Sequence, residues 1–275
     1  MTNTSTQKWN KYLYAGLIMT GLAVLLGILG FFWTPYSTTQ MNAAERFAAP
    51  SLRHIFGTDN FGRDIFSRVM QGLGDTIVIS GLVVLISGTV GILLGALTGY
   101  FGGLLDEIVM RITDAVNGFP SILLTLVIIS ILGKGKQNLI ISLGIVFIPS
   151  YVRIVRSEFI RLRDADYIKR ARLMGVGKVR ILFVHILPNI FSVFWVSVMI
   201  GFNNAILAES GMSYLGIGVQ APDATLGNML SDAQGYLQTA PWCALAPGLT
   251  IVWVVLGFAL FSEGIRINSE SSSGV

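Results

Sequence analysis

Residues 152–188 read VRIVRSEFIRLRDADYIKRARLMGVGKVRILFVHILP. Arg153, Arg156, Arg161, Arg163, Lys169, Arg170, Arg172, Lys178 and Arg180 fall within this stretch, nine of the 19 Lys and Arg in the chain. Apolar runs long enough to cross a bilayer lie on either side. One Lys or Arg near the centre of a membrane helix costs roughly 2.5–3.5 kcal/mol on insertion scales, so a charged island of this length lies outside the hydrocarbon. Its spaced apolar residues and its ending in Ile186-Leu187-Pro188 mark it as structured. The positive-inside rule places it in the cytoplasm. Such a loop is expected to contact a soluble partner.

The composition agrees. The chain has 275 residues, 53% hydrophobic and 12% charged, where soluble domains carry about 25% charged residues. This reads as an all-α, polytopic membrane protein. With one cysteine, Cys243, and two histidines, His54 and His185, no disulfide framework and no metal site is expected. The net charge of +4 clusters where the positive-inside rule puts it, so nucleic acid is not an expected partner.

Six runs qualify as spans, at about 12–33, 76–101, 108–132, 138–157, 189–209 and 243–265. The first gives about 33 Å of helix at ~1.5 Å per residue, and no small-residue cleavage site follows it, so it reads as uncleaved. Lys8, Lys11, Arg111, the island and Arg266 fall on one side of the membrane. Arg46, Arg53, Arg63, Arg68, Lys134 and Lys136 fall on the other, among Glu45, Asp59, Asp64 and Asp75. This bias puts both termini inside. The expected organisation is a cytoplasmic N-terminus (1–11), a first helix (12–33), an outer segment (34–75), and a five-helix core (76–267). The core contains the cytoplasmic loop 158–188, and a cytoplasmic tail (268–275) follows it, expected to be disordered from Ser269 to Val275. The outer segment 210–242 is rich in breakers and is expected to dip partly into the membrane, protected by protein.

Gly91, Gly95, Gly99 and Gly103 recur every four residues, a stripe expected to let another helix approach closely. Pro120 and Pro149 are expected to kink their helices. Arg111 and Asp114, three apart, share a helix face and are expected to pair. Asn203, Asn204 and Glu209 lie along the fifth span or at its outer end and are candidates for a substrate path. For Glu209 the competing expectation is a solvated carboxylate at the interface.

Within the island, Tyr167-Ile-Lys-Arg-Ala-Arg-Leu-Met-Gly175 and the later Ile186-Leu187-Pro188-Asn189 resemble the Glu-Ala-Ala loop of ABC importer permeases. That motif reads Glu-Ala-Ala, three residues, Gly, nine residues, Ile-x-Leu-Pro. Ala171, Gly175, Leu187 and Pro188 match it. Lys169 and Arg170 stand where Glu and the first Ala would be, and His185 where Ile would be. Two further stretches are similar to the dipeptide/oligopeptide/nickel permease subfamily. One is His54-Ile-Phe-Gly57-Thr58-Asp59-Asn-Phe-Gly62-Arg63-Asp64-Ile-Phe-Ser67-Arg68. The other is Tyr214-Leu-Gly216-Ile-Gly218-Val-Gln-Ala-Pro222, followed by Gly227. The short length resembles the C-type subunit of a heterodimeric pair.

The resemblance implies a type I permease bundle in a bacterial inner membrane. It implies a homologous second permease, two ATPase subunits that bind ATP and Mg, and an extracytoplasmic substrate-binding protein. This chain would bind no cofactor, and Tyr167, Lys169, Arg170, Ala171, Gly175, Leu187 and Pro188 would couple it to the ATPases. Physically, Gly175 can end a loop helix in a left-handed conformation, and Pro188 can begin the fifth span. Gly57 and Gly62 permit turns that bring Asp59, Arg63 and Asp64 into a charge-paired knot, a loop brace or a contact for the binding protein.

The chain has no Gly-x-x-x-x-Gly-Lys-Ser/Thr phosphate loop, so it is not expected to be an enzyme and any ATPase is a separate polypeptide. A stand-alone channel or secondary carrier is one alternative. An intramembrane aspartyl protease is another, since Gly72-Leu-Gly-Asp75 matches Gly-x-Gly-Asp. However, the required Tyr-Asp pair is missing.

Overall fold

The computed structural model describes residues 11–272, and the expectations for residues 1–10, Lys8 included, lie outside them. The described chain is helical, with no β-strand. The elements are α1 (Lys11–Phe32), α2 (Ile65–Phe101), α3 (Gly103–Asn117), α4 (Ser121–Leu132), α5 (Lys136–Arg163), α6 (Asp166–Leu173), the short turn α7 (Lys178–Arg180), a π turn (Ile181–Ile186), α8 (Leu187–Tyr214), α9 (Leu226–Ala233) and α10 (Trp242–Ser272). Among the described residues, five helices are long and apolar enough to cross a membrane, and α3 with α4 makes a sixth span if the bent pair is counted as one.

In lipid, apolar side chains gain little by leaving one apolar environment for another, so close backbone packing holds helices together. The sequence supplies small residues where this is needed. Gly16, Thr20, Ala23, Gly27 and Gly30 are the buried face of α1, while Leu17, Ile18, Leu22, Leu25 and Ile28 point outward. A Cβ on Gly30 would lie 2.5 Å from the Met70 carbonyl carbon of α2, and one on Gly16 would clash with the backbone of α10 at Phe261. The expected stripe on α2 holds for three of its four members. A Cβ on Gly95 would lie 2.7 Å from Val155 Cβ, one on Gly99 2.6 Å from Phe159 Cβ, and one on Gly91 would strike Tyr151. Gly103 does not belong to the stripe: α2 has ended, and Gly103 opens α3 with φ +65° and no neighbour nearby.

The spans differ from expectation at their ends. Helix α2 begins at Ile65, eleven residues before the expected start, and at about 1.5 Å per residue its 37 residues reach about 55 Å. Its polar first turns are helical beyond the hydrocarbon, buried and satisfied within the protein, with Ser67 donating to Asp64 and Arg68 to Thr38 O. The expected third span is two helices meeting at 94°. Pro120 does more than kink it. Proline lacks an N–H and disfavours helical geometry in the residue before it, so α3 stops at Asn117 and α4 starts after Pro120. Pro149 stays inside a continuous α5. Pro188 sits in the first turn of α8, as expected. Helix α10 runs on to Ser272, so the start of the expected disordered tail is helical.

Arg111 and Asp114 do not pair with each other. Asp114 accepts from Arg153 of α5 at 2.7 Å, and Arg111 lies 4.0 Å from Glu107. Asp106 takes both Arg156 Nε and Nη2, at 2.5 and 2.7 Å. Asp114 is thus taken by a cation from the neighbouring helix, and Arg111 is left with a long contact one turn away on its own exposed face.

Three buried clusters stack along the bundle. At the end carrying α6 lie Ala96, Tyr100, Val155, Phe159, Ile168, Ile181, Leu182, Ile186 and Ile190. A middle cluster joins α2, α4, α5 and α8 through residues such as Ile79, Ile129, Leu143 and Ala205. At the far end, α1, α2, α8, α9 and α10 share the third, with Leu73, Ile206, Leu226 and Val254 among its members.

Candidate functional site

The α6 loop is a short helix hung on the end of α5. The i, i+3 pair Ile168 and Ala171 forms its inward face, with Ala171 only 6% exposed, and Ile168 joins the cluster with Ile181 and Ile186 of the π turn. Helix α6 ends at Gly175, which has φ +79°. Val176 N–H donates to Ala171 O at 3.1 Å and Gly175 N–H to Arg172 O at 3.0 Å. This is the Schellman pattern, which needs a left-handed residue at that position. A Cβ on Gly175 would meet nothing, so its requirement is conformational alone.

Around that stop, Tyr167, Lys169 and Arg170 are exposed, Leu187 is half-buried, and Pro188 is exposed at the start of α8. Asn189 Nδ2 donates to His185 O at 2.6 Å and reaches Tyr167 Oη at 3.5 Å, tying the two halves of the loop together. Arg172 lies over the Tyr100 ring at 5.5 Å. The structure therefore brings the seven sequence-predicted residues into one module. The residues the sequence reading missed are its anchors, Ile168, Ile181 and Ile186. The i, i+3 apolar spacing of Ile168 and Ala171 was the available signal.

The far end is different. Asp59 Oδ2 holds Arg63 Nε at 2.6 Å and lies 3.7 Å from Arg68 Nε, while its Oδ1 accepts from the Phe61 and Arg63 backbone. Gly57 and Gly62 have φ +75° and +74°, as the turns require. Asp64 is not part of this ion-paired knot. It caps α2, accepting from Ser67 N–H at 2.8 Å, and faces His54 Nδ1 at 2.9 Å. The fourth member of the knot is Asp232 of the segment after α8, 3.9 Å from Arg63. Burial pushes the Asp232 carboxyl above the usual carboxylate range, against the pull of Arg68 and Arg63.

The three polar residues of α8 part company. Glu209 is fully enclosed (0% exposed), accepting from Ser213 Oγ at 2.8 Å and Ser210 Oγ at 3.4 Å. It neither lines an open path nor lies solvated at the interface, because α9 and the segment before it close over it. A Cβ on Gly227 would clash with the Ser210 carbonyl. Asn203 is half-buried, and only Asn204 reaches the surface. Serines one and four residues after Glu209 were the legible signal of a hydroxyl-bound carboxylate. Asp75, the residue of the protease-like match, is buried and ion-paired with Lys136.

Residues 91–266 match the family described as binding-protein-dependent transport system inner membrane component. The chain belongs to that family. It is thus a multi-pass membrane subunit of an inner-membrane transport system, and the matched span contains the whole α6 loop, α8 and most of α10. The chain is 40% identical, over 94% of its length and 85% of the relative's, to a dipeptide transport system permease protein of Alkalihalophilus pseudofirmus. It is 36% identical, over 94% of its length and 90% of the relative's, to a dipeptide transport system permease protein of Haemophilus influenzae. It is also 36% identical, over 94% of its length and 88% of the relative's, to a glutathione transport system permease protein of Pectobacterium atrosepticum. These likenesses to permeases, rather than to catalytic subunits, fit a transport component whose polar residues brace helices.

Proposed function

We propose that this permease is the C-type subunit of an ATP-driven importer that moves small peptides into a bacterial cell by alternating access. The observation that carries the reading is the α6 loop. It is a helix with one buried face and a defined glycine stop, held at the tip of a membrane helix where a separate motor could push on it. The partners are a homologous second permease, two ATPase subunits carrying ATP and Mg, and an extracytoplasmic binding protein. ATP-driven closure of the ATPases would displace α6, and the bundle would switch between inward-open and outward-open states.

The α6 end and both termini are assigned to the cytoplasm, from the basic island and the positive-inside rule. The dipeptide- and glutathione-named relatives favour peptides over nickel. Asn204, exposed among apolar neighbours of α8, is the polar residue we assign to the path shared with the second permease.

The test is uptake into proteoliposomes holding both permeases and both ATPases. Labelled dipeptide should enter only with ATP and binding protein. Entry without ATP would make the chain a channel or carrier, and ATP-driven nickel uptake without peptide uptake would overturn the substrate. Orientation is tested by Leu52→Cys in a Cys243→Ser background, which should react with an impermeant thiol reagent added outside intact cells. Labelling only after permeabilisation would invert the topology.

A further inference from the structure

Between Asp166 and Glu209 the sequence contains no Asp or Glu, yet it holds Lys169, Arg170, Arg172, Lys178 and Arg180. Arg170, Lys178 and Arg180 are exposed, and no carboxylate among the described residues pairs with them. Lys169 meets only Asp166, at 3.6 Å, with both side chains mostly in solvent, a geometry worth little. At the tip of the same loop two large apolar side chains stand in the open, Leu173 at 88% and Met174 at 77% exposed. They are apolar surface that the rest of the described residues do not cover.

We infer that the α6 loop docks on an acidic surface of its ATPase partner. Carboxylates there face Lys169 and Arg170 and surround an apolar socket that receives Leu173 and Met174. This rests on the coupling reading above. A soluble protein fits better than anionic lipid because of where the loop sits. Helix α5 has 28 residues, about 42 Å of helix, against a hydrocarbon thickness of about 30 Å. The pairs Arg153–Asp114 and Arg156–Asp106 mark where α5 leaves the apolar zone. Helix α6 hangs about 10 Å of helix beyond Arg156, past the headgroups. An apolar tip ringed by cations is also the anatomy of a protein interface, with a desolvated centre and a charged rim that selects the partner.

The polarity makes the inference specific. Lys169 stands where the resembled loop has Glu, and Arg170 where it has a small residue. An ATPase socket shaped for an acidic loop would meet like charge here, so these two positions select the cognate motor and reject others.

A zero-length carbodiimide joins an amine to a carboxylate only when they touch. Treated on the assembled transporter, Lys169 should give an adduct with an Asp or Glu of the ATPase, and the adduct should be missing in Lys169→Arg. Lys169→Glu/Arg170→Glu should weaken ATPase binding at least about tenfold at low salt, and wild-type binding should weaken as rising salt screens the pairs. If no adduct forms and the double reversal binds normally while Gly175→Val still uncouples, the acidic socket is wrong and the coupling loop stands. If Gly175→Val is also silent, the coupling reading itself falls. If the double reversal lowers binding to phosphatidylglycerol vesicles but leaves ATPase affinity unchanged, the cations read lipid and the inference is overturned.

Discussion

The two ends of the molecule treat their cations in opposite ways. At the far end each one is bound. Arg53 pairs with Glu45, Arg63 and Arg68 meet Asp59, and Lys136 meets Asp75. Arg46 and Lys134 donate to the carbonyls of Asn60 and Gly216. At the α6 end, Arg170, Lys178 and Arg180 have no such partner among the described residues. Both ends nevertheless use the same stop. Gly216, with φ +73°, closes α8 through Ile217 N–H to Met212 O and Gly216 N–H to Ser213 O, just as Gly175 closes α6. One stop is tied within the chain, its carbonyl accepting from Lys134, and the other is left on an exposed loop. Charge satisfied within the chain marks a brace, and charge left over marks an interface.

The sharpest break in that comparison would come from Arg68, 3% exposed within the far-end knot and donating to Thr38 O at 3.1 Å. Arg68→Ala should leave Asp59 short of a buried partner and cost about 3–5 kcal/mol. Thermal unfolding in detergent should show a large drop in midpoint. A brace that tolerates this change is not a brace.

Ala171→Asp should cost about 1–3 kcal/mol locally, by placing an unpaired carboxylate on the buried face of α6. Because only the loop is touched, the protein should still insert, while ATP-dependent uptake falls below about a tenth of wild type at matched expression. Uptake near wild type would mean that α6 carries no force.

Gly175→Val and Gly216→Val should each cost about 1–2 kcal/mol for a β-branched residue in the left-handed region. Their phenotypes should differ. Gly175→Val should uncouple ATP hydrolysis from transport with an ordinary melting curve, and Gly216→Val should lower the melting point with coupling intact. The same phenotype at both sites would erase the distinction between the two ends.

Asp232→Asn should have the smallest effect, within about 0.5 kcal/mol, since the fold already disfavours the charged form of a carboxyl whose titration burial has raised. The sign can be followed by pH. A carboxyl with a raised folded-state pKa destabilises the protein as pH climbs through that range, and Asp232→Asn should remove this component of the melting profile.

Much of this was legible in the sequence. Long apolar runs gave the spans, since hydrocarbon admits little else, and Gly175 and Pro188 gave the ends of the loop because their backbone constraints are local. What stayed hidden depended on partners far away in the chain. Arg111 and Asp114 looked like a pair by spacing, but Arg153, 39 residues beyond Asp114, captured the carboxylate. Glu209 looked like a surface group until α9 folded over it. Helix α2 began early because polarity reports where the membrane ends, and a helix can continue beyond it among polar partners supplied by the protein. Arg163, read from the sequence only as part of the basic island, donates to Gly99 O, 64 residues earlier in the chain, at 3.2 Å.

The glycine contacts between α2 and α5 have a mechanical consequence. With Gly91, Gly95 and Gly99 pressed against Tyr151, Val155 and Phe159, neither helix can slide past the other without backbone collision. The two form a single stiff spar, and α6 is fixed to one tip of it. A spar of about 42 Å, pivoting about its far end by about 5°, carries α6 through about 4 Å. Run in reverse, a nudge of that size on the loop tilts the whole spar against α8. In the proposed function, the stroke of a motor would be geared down in this way into the small rotation that opening or closing a packed bundle requires.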